Sequence, residues 1–194
     1  MAAASRVIPA NEYTRVRWRN GAGWTREIGA WPVPEDWHWR LSIAEIERAA
    51  PYSPYPGVMR QQWLLHGEGL ALAFPDGERA RLVPPHGSVR FEGGRAPAAE
   101  PDDGRATVFN LMWRPEAAEV EARHRPLVGA MVCFPAPGET WALHLLAGRA
   151  AFAADAGLPP LEAGDTALLS SQVRRRFLLE GQGELLAIAV RDRA

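Results

Sequence analysis

Leu64-Leu65-His66-Gly67 runs into Leu70-Ala71-Leu72, then Val83-Pro84-Pro85-His86-Gly87-Ser88-Val89 and Phe91-Glu92-Gly93. Later in the chain, Leu145-Leu146-Ala147-Gly148 runs into Ala150-Ala151-Phe152, then Leu161-Glu162-Ala163-Gly164-Asp165-Thr166 and Leu178-Leu179-Glu180-Gly181. Both stretches follow one plan: a leucine run ended by glycine, a short apolar segment, a glycine-bearing turn, then a β-branched residue. Apolar runs this short, bounded by glycine and proline, predict strands and turns rather than helices. The repetition predicts two related halves, 1–114 and 115–194.

Outward from these stretches the pattern holds. From Trp37 to Ile46, Trp37, Trp39, Leu41 and Ile43 fall on one face and His38, Arg40, Ser42 and Ala44 on the other, which is strand periodicity. Tyr13–Arg17 and the segment after Asn20-Gly21-Ala22-Gly23 read as strand, loop, strand, because asparagine and glycine tolerate the positive φ of a tight turn. Pro51-Tyr52-Ser53-Pro54-Tyr55-Pro56-Gly57 predicts a structured loop, since proline lacks the donor and biases its predecessor to extended geometry. Val58–Leu65 and Thr107–Arg114 predict strands, and Glu92–Arg105 an exposed connection. Pro115–His124, with Glu116, Glu119 and Glu121 among alanines, predicts a short helix, with an irregular linker as the alternative. Beyond it, Met131–Phe134, Thr140–Leu146, Ala150–Phe152, Ala167–Leu169, Arg176–Leu179 and Leu185–Val190 read as separate short strands.

Composition narrows the chemistry. The 194 residues carry 22 basic side chains, every one an arginine, against 23 acidic ones, and a pI near 6.5. That balance lacks the basic footprint of a nucleic-acid or acidic-membrane binder. Without lysine there is no Schiff base, no Walker-type phosphate loop and no lysine general base. The single cysteine, Cys133, can form neither an internal disulfide nor a thiolate cluster, and sits in the apolar run Val132-Cys133-Phe134 as a core residue would. No apolar run reaches ~18 residues, and Met1–Ala10 has no signal-peptide core, so a soluble, cytoplasmic protein is expected.

The five histidines show no His-x-His or His-x-x-x-His spacing, so no metal and no cofactor are expected. There is no Gly-x-Ser-x-Gly elbow, and no helix signal follows Asn20-Gly21-Ala22-Gly23 to make it a dinucleotide loop. Arg174-Arg175-Arg176 reads as a solvated strand end or turn. What is left is a set of polar residues among apolar strand neighbours: Asn20, Thr25, Glu27, Arg40, Ser42, Arg60, Gln62 and Asn110. An arginine pointing into a β-barrel needs an anion, either a protein carboxylate such as Glu27 or a ligand carboxylate; an outward-facing arginine is the alternative. Trp18, Trp39 and Trp63 lie among these positions, as core packing first and a stacking wall second.

The repeated plan resembles the two halves of a cupin motif, giving an all-β, duplicated cupin-like barrel or sandwich (a bicupin) as the expected fold. Five ordered blocks carry a closer resemblance. These are Trp18–Ile28, Trp39–Ile46, Tyr52–Arg60, Leu64–Gly69 and Phe109–Met112, and in order and spacing they are similar to the HutD/Ves family. Met59 and His66 depart from that pattern, both standing where the family usually has an acidic residue. The resemblance implies a bicupin tied to histidine utilisation, with a second branch linked to stress responses. It implies a non-catalytic binder of a small carboxylate such as urocanate or formylglutamate that tempers pathway output. Carried over by position, the ligand-binding residues are Asn20, Thr25, Glu27, Arg40, Ser42, Arg60 and Asn110; two strand arginines in the best-matching blocks, without a metal cluster, make Arg40 and Arg60 the expected carboxylate clamps. The expected partner is therefore a small carboxylate metabolite, with no nucleic acid and no membrane, and a homodimer left open. The competing reading is a metal-independent isomerase or hydrolase using Glu27 as general base. A third is a regulator whose partner is another protein.

Overall fold

Successive side chains of a strand face opposite sides, and the alternation from Trp37 to Ile46 folds accordingly into a single long strand. The structure, a computed structural model, describes residues 5–193. Its strands are β1 (Arg6–Ile8), β2 (Thr14–Arg17), β3 (Gly23–Val33), β4 (Asp36–Ile46), β5 (Ala50–Pro51), β6 (Met59–His66), β7 (Leu70–Ala73) and β8 (Arg79–Leu82). They continue as β9 (Ser88–Glu92), β10 (Ala98–Pro101), β11 (Ala106–Trp113), β12 (Ala118–Cys133), β13 (Glu139–Phe152), β14 (Leu161–Glu162), β15 (Thr166–Ser170) and β16 (Phe177–Asp192). The chain is a duplicated, cupin-like all-β protein, and the helical pieces are 3-10 turns of three residues. Among the described residues no helix is long and apolar enough to cross a membrane.

The strands form two compact units: Thr14–Pro115, and the described residues of Met1–Tyr13 with Glu116–Ala194. The first unit holds an antiparallel six-stranded sheet in the order β2-β3-β4-β11-β6-β9 and a four-stranded sheet in the order β5-β10-β7-β8. Neither strand order closes on itself. Ile46, Leu64 and Val108 from the large sheet pack with Leu70, Leu72, Leu82 and Ala99 from the small one. Each leucine so buried contributes roughly 1.5–3 kcal/mol.

Glu92–Arg105 is not the exposed connection that its glycine, proline and alanine content suggests. Its Ala98–Pro101 segment is β10, held between β5 and β7, and Ala99 is fully buried. Small side chains are what let a strand sit there, where a larger one would crowd the core.

The second unit has one sheet, ordered β1-β15-β13-β16-β12 with β14 on β13. Here the helix expected over Pro115–His124 gives way to β12. Ala118, Val120 and Ala122 turn to one side while Glu119, Glu121 and Arg123 face solvent, and the strand pairs with β16 along its whole length. Tertiary pairing outweighs the helix propensity of alanine and glutamate. The separate short strands expected after Met131 are continuous: β12, β13 and β16 are 16, 14 and 16 residues long. Glycines at 129, 148, 181 and 183 do not end these strands, and the last three let β13 and β16 approach closely. A Cβ on Gly148 would collide with the Gln182 carbonyl oxygen, and one on Gly183 with that of Ala147.

Candidate functional site

Pairing register assembles the site. Asn110 on β11 lies opposite Ser42 on β4 and Gln62 on β6, giving a polar rung across three central strands. Two residues along, Met112 lies opposite Arg40 and Arg60 in the same way. Strands ~4.8 Å apart put the Arg40 and Arg60 backbones about 10 Å apart on one face. Further down that face stand Ala44, Val108 and Leu64, all buried. One strand face thus changes from apolar core to polar pocket within a few residues.

The pocket encloses about 600 Å³. Of the seven residues expected from the sequence, Asn20, Thr25, Arg40, Ser42, Arg60 and Asn110 line it. The seventh, Glu27, is not among the lining residues. Arg40 Nε donates to both Glu27 carboxylate oxygens at 2.8 Å, and Arg40 Nη2 also donates to Oε2. Both Glu27 oxygens therefore accept from Arg40. Burial opposes the Arg40 charge, but the hydrogen bonds and field of Glu27 outweigh it and raise the guanidinium pKa above its ordinary value.

Arg60 differs in kind. It is 6% exposed, and among the described residues no carboxylate stands against it. Burial pulls its pKa below the ordinary arginine value, Tyr52 and Tyr55 oppose that shift, and the Arg40 charge adds to it. Arginine nonetheless stays protonated in proteins. Its guanidinium lies over three rings, with Cζ 4.7 Å from the Tyr52 centroid, 5.3 Å from Phe91 and 6.0 Å from Tyr55. Nη2 donates to Asn110 Oδ1 at 3.2 Å, while Nε is buried without a hydrogen-bond partner.

Arginine only donates, and that fixes the rest of the rung. Asn110 must turn its oxygen toward Arg60, where it also accepts from Gln62 Nε2 at 3.2 Å. Its amide nitrogen then donates to Ser42 Oγ at 3.3 Å, so the Ser42 proton is directed elsewhere. Tyr52 donates to Gln62 Oε1 at 3.4 Å and closes the chain. The pocket is left with surplus donors: the part of the Arg60 guanidinium that lines it and the hydroxyl of Ser42. A donor-rich, positively charged recess suits a ligand that only accepts.

Tyr52 and Tyr55 also line the site; no strand periodicity marks them in the sequence, and their only signal is the proline-rich loop that carries them. Trp39 and Trp63 are core, each 3% exposed. Trp18 lines the pocket and donates from Nε1 to Thr25 Oγ1 at 2.9 Å. Met59 and His66, where the chain departs from the family pattern, both lie outside the lining residues. Arg174, Arg175 and Arg176 are exposed in the segment before β16.

Known proteins are similar to this chain in sequence and in fold. A protein of Pseudomonas putida described as an uncharacterized 21.2 kDa protein in the hutC 3′ region is 32% identical over 112 residues, 57% of this chain and 58% of that one. Protein Ves of Cronobacter sakazakii is 36% identical over 107 residues, 55% of this chain and 59% of that one. The match thus spans under two thirds of either relative. The structure of HutD from Pseudomonas fluorescens SBW25, described with a formate condition, superposes with a TM-score of 0.83 and 25% identity over 98% of this chain and 100% of that one. The HutD family model itself matches residues 10–187, and the chain belongs to the HutD family.

Proposed function

We propose that the protein binds a small carboxylate metabolite without transforming it, and that Arg60 receives the carboxylate. The observation that carries this reading is Arg60 itself: a buried cation with no protein carboxylate, an orphaned Nε, and a position on the pocket wall. A buried uncompensated charge costs several kcal/mol, and a ligand anion would offset that cost. Arg40, already held by Glu27, serves as a secondary contact rather than an equal clamp, while Asn20, Thr25, Ser42 and Asn110 orient the ligand. The occupied Glu27 carboxylate favours binding over the general-base alternative.

Family membership and the relative named for its hutC region support histidine utilisation as the setting. Urocanate and formylglutamate are then the first ligands to try. Titration calorimetry with urocanate, formylglutamate and glutamate is expected to show one-site binding to at least one of them. The Arg60→Ala variant is expected to bind it at least tenfold more weakly, since losing a charge-assisted bidentate contact costs about 1.5–3 kcal/mol. No heat from any of the three, or equal binding by Arg60→Ala, would overturn the proposal.

A further inference from the structure

The charge on Arg60 is available only because, among the described residues, no carboxylate stands against it, and one of the neutral groups in its hydrogen-bond chain lies behind the pocket wall. Gln62 is completely buried and is not a lining residue. Its Nε2 and Arg60 Nη2 both donate to Asn110 Oδ1 at 3.2 Å, so the two nitrogens lie within two hydrogen-bond lengths of each other. A carboxylate at position 62 would have almost the shape of this glutamine. It would nevertheless sit within Coulombic reach of a buried guanidinium in a setting of low dielectric. It would also repel Asn110 Oδ1 and reverse that amide, undoing the order that leaves the Ser42 proton for the pocket.

From this geometry we infer that Gln62 is the positioning and specificity-determining residue of the site. As an amide it fixes Asn110, and through Asn110 the orientation of Arg60, while leaving the Arg60 charge for an external anion. The inference rests on the reading of Arg60 as the anion receptor but makes a separate demand. It requires that an internal carboxylate at position 62 can take the place of the external one. Ligand binding and internal ion pairing are then alternatives, and residue 62 decides between them.

The test is thermal unfolding of the full chain with sodium formate as the probe, titrated at constant ionic strength. In the wild type the melting temperature is expected to rise with formate by mass action. Gln62→Glu is expected to melt roughly 2–4 °C higher than wild type without formate, because it pairs a buried charge. It is also expected to lose the formate response. Gln62→Met removes the hydrogen bond without adding charge and is expected to keep the response, weakened a few-fold. Should Gln62→Glu fail to fold, Asn110→Asp delivers a carboxylate to Arg60 Nη2 from the neighbouring strand, with the same two effects expected. A carboxylate variant that melts no higher than wild type, or still responds fully to formate, overturns the inference. So does a Gln62→Met variant as unresponsive as Gln62→Glu. A wild type indifferent to formate overturns the carboxylate reading and with it the specificity role of Gln62, whereas a wild type that responds beside a Gln62→Glu variant that also responds overturns the inference alone.

Discussion

Arg40 and Arg60 illustrate how two identical side chains at matching register acquire different roles. The sequence places both on strands with apolar neighbours, and nothing local separates them. The difference arises from Glu27, which lies on β3 opposite Ser42 of β4 and reaches Arg40 and not Arg60. Sequence spacing cannot reveal that choice, because it depends on which strand neighbours which in the sheet. The pair suggests a direct test of the catalytic alternative. Glu27→Gln removes a half-buried pair and is expected to lower stability by about 1–2 kcal/mol in urea denaturation. With Arg40 released, carboxylate binding should stay equal or tighten. A loss of binding in calorimetry would instead give Glu27 a direct part in the site.

At the scale of elements, the legible parts were those where periodicity and burial agree. The Trp37–Ile46 alternation, the strand–loop–strand around Asn20 and the proline-rich loop could all be read from their own residues. The three long strands of the second unit could not, because glycine there looked like a stop. In fact Gly148, Gly181 and Gly183 keep β13 and β16 running side by side, a role visible only once the partner strand is known. Gly183, at φ +141°, has no room for a Cβ beside the Ala147 carbonyl. Gly183→Ala is therefore expected to cost at least ~2 kcal/mol by urea denaturation. An effect within ~0.5 kcal/mol would show that the two strands can move apart freely.

For the whole molecule, a shared plan has produced two different interiors. The first unit leaves a polar recess on its large sheet. In the second, Leu127, Leu143, Leu145, Phe152, Leu169, Phe177 and Leu179 form an apolar core, and the buried polar residues His144 and Thr166 bond to each other at 3.0 Å. The lysine-free composition also shapes the response to alkali, since no amine side chain titrates near pH 10. Burial pushes the Cys133 thiol up to about 11 from an ordinary value of 9.0, and pushes the Tyr52 hydroxyl up as well. Between those two pH values the unfolded chain gives up the Cys133 proton while the folded chain keeps it, so stability falls as pH rises. Denaturation midpoints are expected to drop from pH 9 to 11, with a shallower slope in Cys133→Ala. An unchanged slope would contradict a buried, unionised thiol. The central claim is that the uncompensated charge of Arg60 receives a ligand carboxylate, and a crystal structure of the protein soaked with urocanate or formate tests it most directly. Carboxylate oxygens within hydrogen-bonding distance of the Arg60 guanidinium are the expected result; a pocket holding only water, with Arg60 turned onto Glu27, would contradict it.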